Sequence, residues 1–351
     1  MPFSVLCLTV TIIIFTSMKS DGLQFARRHS PIVVSNSFRT PCSYPASLQS
    51  RCAKMRSFST SQGSNQSKYL VLASRTNEKV KLMKSLHVKK NRDSEGMLLL
   101  EGHRQIVDAI NSGYHPSTLL FSDEAVNAPL GKQLLVSLEK CGPSTVFRAS
   151  NDLIQSISDT VHCQGVIASF SKPRKAYDFT AVESPLVVLM DRPTDPGNLG
   201  TIIRTAYGMG VDAVVIVDGC DPWSPKVLRS AMGMCLKFPI LEASWKDNSV
   251  STFLQNSAGK TGPFQLLLAD ADPSGSVYHR VDMTGPTVLV VGSEAAGIGA
   301  EARSLLGAKY IRIPTPAHRD DVESFNAAVA GSILIAEAAR QREGRAPLPQ
   351  Q

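Results

Sequence analysis

Between residues 185 and 313, five short apolar runs recur, at 185–190, 213–217, 265–269, 287–291 and 310–313. Stretches of helical pattern lie around them, at 199–208, 225–233, 300–306 and 325–342. A strand that is apolar on both faces must be covered on both faces. Strands alternating with helices meet that demand as a parallel sheet with helices on either side. Residues 185–345 are therefore expected to form one α/β domain.

A second, smaller α/β unit is expected over residues 68–171. The segment Asn77–Leu86 has helical spacing, with Val80, Leu82, Met83 and Leu86 apolar among lysines. Met97–Leu100 reads as a buried strand, and Gly102–Ser112 as a helix with Ile106, Val107 and Ile110 on its apolar face. Thr118–Phe121, Lys132–Lys140, Val146–Phe147 and Gly165–Phe170 continue the alternation. The charged, proline-containing segment Lys172–Tyr177 opens an expected linker over 172–184.

Residues 1–67 stand apart. Val5–Phe15 is an apolar run too short to span a bilayer comfortably. The stretch after it is rich in Ser and Arg and poor in acid, as organelle transit peptides are. The end of this stretch, from Arg56 to Ser61, looks like the end of a mitochondrial presequence, and a chloroplast transit peptide would look much the same. The segment is expected to be removed or disordered, or residues 1–54 to precede a true start at Met55. No stable membrane association of the mature form is expected.

The chain carries a formal charge of +7, which invites a nucleic-acid partner, but the charge is local. Residues 1–67 hold seven Lys/Arg and one acid, and residues 68–104 hold nine Lys/Arg and four acids. The remainder is net acidic. The informative feature is the basic stretch Lys79–Arg92, which would meet an RNA backbone or form a solvated helix face. Seven cysteines occur without a C-x-x-C pair, so neither a zinc site nor a disulfide framework follows, and no metal is expected.

In open α/β sheets ligands bind outside the carboxyl ends of the strands. Three such ends here carry polar residues. Asp195–Asn198 follows the first run, with Asn198 suited to cap a helix that places Arg204 one and a half turns in. Gly292–Gly297 follows the fourth run and holds Glu294. It is not a dinucleotide fingerprint, because Glu294 stands where a central glycine belongs, and a nicotinamide dehydrogenase is disfavoured on that ground. Ile313 ends the fifth run and Pro314 follows it, and Ser324, Phe325 and Asn326 open the last helix, with Ser324 a candidate N-cap. Each segment alone also has a plain structural reading as a capped helix or a satisfied carboxylate.

Taken together and in this order, the three segments resemble the motifs of the SpoU (TrmH-type) RNA 2′-O-ribose methyltransferases. Glu101–Gly102, Ser158–Thr160 and Gln164–Gly165 are similar to the substrate-binding domain that precedes the catalytic domain in many members. The resemblance implies an L30e-like RNA-binding domain, then a trefoil-knotted α/β (SPOUT) domain that forms a homodimer and binds S-adenosylmethionine in the knot. It assigns Asn198, Arg204, Glu294, Ser324 and Asn326 to the catalytic site and the main chain at Gly292, Ile313 and Phe325 to the methyl donor. Phe325 replaces the family's usual Leu, and the Pro314–Ser324 loop, with His318–Asp321, is longer than usual.

The reaction so implied is 2′-O-methylation of RNA, most readily organellar ribosomal RNA, with transfer RNA as the alternative substrate. A guanidinium holds its proton far above neutral pH. Arg204 is therefore expected to position phosphate and stabilise the developing alkoxide. The resemblance also admits a deprotonated arginine as the base, and the sequence does not choose between them. A non-catalytic RNA-binding ribosome-assembly factor on the same fold is the rival, and the full set of five polar residues argues against it.

Overall fold

The computed structural model describes residues 69–142, 144–173, 177–256, 262–315 and 324–343. The expected leader and His318–Asp321 lie outside them. The chain runs β1 (Leu70–Val71), α1 (Glu78–Ser85), α2 (Lys89–Glu95), β2 (Met97–Glu101), α3 (His103–Asn111), β3 (Pro116–Phe121), α4 (Asp123–Asn127), α5 (Gly131–Leu138), β4 (Val146–Arg148), α6 (Asn151–Gln155) and β5 (Val166–Ser171). It continues with β6 (Leu186–Asp191), α7 (Pro196–Gly208), β7 (Ala213–Val217), α8 (Pro225–Ser230), β8 (Ile240–Ala243), α9 (Ser249–Asn256), β9 (Gln265–Ala269), β10 (Ser276–Val277), β11 (Thr287–Val291), α10 (Ala300–Arg303), β12 (Lys309–Arg312) and α11 (Ala327–Gln341).

Two sheets result. The first has the order β1-β4-β3-β5-β2 and is mixed, with β5 antiparallel to β2 and β3. The second has the order β10-β12-β9-β11-β6-β7-β8 and is parallel throughout. Strands β6, β7 and β11 are buried along their whole length, so one face packs on α7, α8 and α11 and the other on α9 and α10. The α/β expectation holds for both units.

Helix starts differ from expectation, and the differences place two side chains of the site. Asp195, not Asn198, caps α7: its carboxylate accepts from the Gly197 and Asn198 N–H groups at 3.2 and 3.1 Å, and Pro196 opens the first turn. Asn326, not Ser324, caps α11, accepting from the N–H groups of Ala328 and Val329. In each case a neighbour of the expected cap already has the extended backbone that an N-cap needs. Both asparagine side chains are thereby placed at the mouth of the sheet. Helix α7 also lies unusually close to α8: a Cβ on Gly200 would fall 2.4 Å from Ser230 Cβ and 2.8 Å from the Ala231 N.

The two units do not meet through a free linker. One buried cluster runs from Leu98, Ile106 and Leu119 to Leu199, Trp223 and Leu236. Arg92, only 2% exposed, pairs with Asp221 and donates to the Leu86 carbonyl at 2.6 Å. Asp221 accepts from the Trp223 N–H at 2.9 Å, and Trp223 Nε1 donates to Glu242 at 3.0 Å. Lys89 and Lys172 each bridge Asp93 and Glu242. Arg229 of α8 binds Asp159, and Tyr114 donates to the Leu236 carbonyl at 2.5 Å. The basic stretch is thus divided. Lys89 and Arg92, expected to face RNA, are part of the seam between the two units.

Candidate functional site

The site arises from strand register. β6 and β11 are parallel neighbours with Met190 opposite Val291, so the loops that leave them emerge side by side. Glu294, on the loop after β11, therefore reaches the loop after β6. Its Oε1 accepts from Asn198 Nδ2 at 2.8 Å. Its Oε2 accepts from Thr194 Oγ1 at 2.6 Å and from the Thr194 N–H at 3.3 Å. Asn326 Nδ2 donates to Asn198 Oδ1 at 3.1 Å. Three segments far apart in sequence are joined by one hydrogen-bonded chain: Asn326 to Asn198 to Glu294, with Thr194 closing it.

This chain sets the charge of Glu294. Burial alone would raise its pKa, but the bonds from Thr194 and Asn198 hold it below the usual carboxylate value. Glu294 is therefore an ionised acceptor, not a proton donor, at neutral pH. A depressed folded-state pKa contributes stability above the unfolded value and loses it as pH falls through the folded value. Glu294→Gln is expected to be less stable than wild type at pH 6, with the gap narrowing as pH falls below the ordinary carboxylate value of about 4.3 and through the lower value of the folded wild-type acid. Parallel thermal melts from about pH 6 to pH 3 test this, and a gap that persists at the acid end would refute the assignment.

The turn that carries Glu294 demands glycine. A Cβ on Gly292 would lie 2.2 Å from the Gly297 carbonyl carbon, and Ser293 and Gly297 bond to each other at 3.0 Å in both directions. The result is a tight main-chain surface with Glu294 to Gly297 exposed. Ile313 packs partly on the core at the end of β12, and Phe325 is 39% exposed beside the start of α11. Bare main chain and open apolar faces suit a flat, uncharged ring such as adenine.

Two expected residues stand outside the hydrogen-bonded chain. Arg204 is exposed on α7, and no carboxylate pairs with it among the described residues. By contrast Arg192, Arg229 and Arg303 are paired with Glu301, Asp159 and Asp270. Ser324 is exposed and neither caps α11 nor joins the chain. Asn326 is an exposed cap whose polar groups are bonded.

Sequence reasoning missed Thr194, Asp191 and Trp245. Asp191 is fully buried at the end of β6. It accepts from Trp245 Nε1 and the Gly299 N–H, each at 2.7 Å, and from Arg192 Nε at 3.1 Å. Arg192 itself takes a left-handed φ of 53°, a costly conformation for a side chain of that size and one typical of functional loops. A carboxylate closing an otherwise apolar strand was the visible signal, because a buried charge must be bonded. Cys220, whose N–H donates to the Pro193 carbonyl, is no nucleophile: burial first, then the charge of Glu294, pushes its thiol up to about 11.

Residues 185–336 match the SpoU rRNA Methylase family, and residues 77–168 match the MRM3-like substrate binding domain. The chain is 33% identical over 298 residues to the mouse mitochondrial rRNA methyltransferase 3, covering 71% of this chain and 69% of that protein. It is 30% identical over 265 residues to a Bacillus subtilis 23S rRNA guanosine 2′-O-methyltransferase, covering 75% and 97%. The AdoMet-bound rRNA methyltransferase from Sinorhizobium meliloti superposes with a TM-score of 0.63 at 29% identity, covering 78% of this chain and 98% of that one. The SpoU methyltransferase AviRb from Streptomyces viridochromogenes, in complex with AdoMet, does so with 0.62 at 28%, covering 76% and 99%. The chain belongs to the SpoU rRNA methylase family.

Proposed function

We propose that this chain transfers a methyl group from S-adenosylmethionine to a ribose 2′-hydroxyl of ribosomal RNA in the mitochondrion. The methyltransferase class and the donor follow from family membership. The single observation that carries the site is the chain Asn326–Asn198–Glu294–Thr194, which joins the segments that the family resemblance makes catalytic. Ribosomal RNA is supported by the ribosomal substrates in the names of the relatives. The mitochondrion is supported by the mouse relative and by the basic, Ser-rich character of residues 1–67.

When bound, S-adenosylmethionine supplies a methyl group already activated on a sulfonium, so the protein has three tasks. Main chain at Gly292, Ile313 and Phe325 holds the donor, in the knot that the resemblance implies. Glu294, kept ionised, orients Asn198, and Asn326 fixes the other end of the same amide. Arg204 holds substrate phosphate and stabilises the oxygen as the hydroxyl loses its proton to phosphate or water; a fixed cation at a developing alkoxide is worth most in a site closed to water. Ser324 lies on the loop side of α11, where it would meet substrate.

A homodimer belongs to the same reading. Phe325 and Val329 at the start of α11 are 39% and 48% exposed, and Met209 at the end of α7 is 46% exposed. Exposed apolar side chains on two helices that pack together support an association surface. Sedimentation at micromolar concentration is expected to give a dimer that Val329→Glu dissociates; a wild-type monomer would count against it.

The decisive test of the function is a map of 2′-O-methylation in mitochondrial ribosomal RNA from cells with and without this chain. One ribose is expected to lose its methyl group in its absence. An unchanged map would sink the assignment.

A further inference from the structure

Six cations stand between Lys79 and Arg92, and the fold gives them different fates. Arg92 and Lys89 belong to the seam between the two units. Lys79 lies over the Phe147 ring at 5.5 Å. Lys90 is exposed in the first turn of α2. Lys81 and Lys84 remain. Their spacing puts them on one face of α1, where like charges repel. Arg75, from the segment before the helix, joins them. These three line a hollow of about 330 Å³ with Val80, Ser85 and Ser156. All three cations are exposed, and no carboxylate pairs with them among the described residues.

The hollow is chemically simple. Ser85 and Ser156 donate their hydroxyl protons to the Leu82 and Leu153 carbonyls, each at 2.7 Å. Val80 contributes only an apolar wall. The three cations are therefore the groups that can attract an anion there. Three positive side chains gathered from two segments in one concavity, with no carboxylate paired to them among the described residues, give a local positive field that attracts an anion.

Resting on the RNA-methylation reading, we propose that this hollow grips the sugar–phosphate backbone of the substrate RNA outside the methylated nucleotide. It lies on the smaller unit, whereas the methyl-transfer residues lie at the strand ends of the seven-stranded sheet. A contact of this kind sets register and affinity without reading bases. Its energy comes from counterion release, so its signature is a salt slope. The seam then matters twice, because it holds the grip at a set span from the catalytic strand ends.

The test uses the full chain, an unmodified large-subunit ribosomal RNA transcript as probe, and the triple variant Arg75→Gln, Lys81→Gln, Lys84→Gln. Affinity is measured from about 50 to 200 mM salt, where each lost phosphate contact flattens the log–log slope by about 0.7–0.9. The triple variant is expected to flatten the slope by about 2–3 on that scale and to raise the KM for RNA. Its turnover at saturating RNA and its S-adenosylmethionine affinity should match wild type. A charge-conserving set, Arg75→Lys, Lys81→Arg and Lys84→Arg, should restore the slope, which separates charge from any folding defect. A triple variant with the wild-type slope and KM overturns the proposal while leaving the methyltransferase reading intact. Equal flattening by Lys132→Gln, an exposed lysine on α5, overturns it too. A wild-type chain that neither binds nor methylates the transcript overturns both.

Discussion

Arg204→Ala is expected to lower turnover by about 10²–10³-fold, the usual effect of removing one donor that stabilises a developing oxyanion. Donor affinity should not change, because among the described residues no hydrogen bond or ion pair ties Arg204 to the Gly292–Gly297 turn or the start of α11. The case rests on what the arginine lacks. Arg192, Arg229 and Arg303 of the same domain are each tied to a carboxylate, and a tied guanidinium has little left for a ligand. Arg204 is exposed on a helix held rigid by its packing on α8, and its fork is open to a phosphate. Single-turnover methylation at saturating RNA, with S-adenosylmethionine binding measured in parallel, decides the point. Near-wild-type turnover would remove Arg204 from the mechanism.

The second large effect concerns the seam. Asp221→Ala leaves Arg92 buried without its counter-charge. Breaking a buried pair from one side costs about 3–5 kcal/mol, a large share of the roughly 5–15 kcal/mol that holds a typical domain together. Replacing both partners, as Arg92→Leu with Asp221→Leu, should return most of that loss, because a well-packed apolar pair can equal a buried ion pair. Urea midpoints of the three chains, compared at a shared slope, give the answer. A single variant within about 0.5 kcal/mol of wild type would show that the pair is solvated. The seam also changes what truncation would do. A sequence reading that places a linker at 172–184 suggests that the smaller unit can be cut away cleanly. Instead Lys172 is bonded to Asp93 and Glu242 and lies 5.4 Å over the Trp223 ring, and removal would bare Trp223 and Leu236.

The sequence determined much of this protein by itself. Runs that are apolar on both faces have one stable environment, so 213–217, 265–269 and 287–291 are strands at the expected bounds. The edge strand β8 escaped notice because it is only half buried and carries Glu242; β10 has two residues and no periodicity to read. Helix α9 escaped because Ser249 to Thr252 has the polar and β-branched character of a loop. The residue types of the candidate site were also legible, since Asn, Arg, Glu and Ser at strand ends are local facts. What only the tertiary structure decided is which of them meet. Glu294 and Asn198 stand 96 residues apart and touch because β6 and β11 pair in one register. Arg92 and Asp221 stand 129 apart and turn a basic stretch that looked uniform into two parts, one buried in the seam and one open to solvent. Sequence pattern reports burial and backbone preference, which are properties of a segment. A hydrogen bond or an ion pair depends on distance, and the distance between remote segments exists only once the sheets have closed.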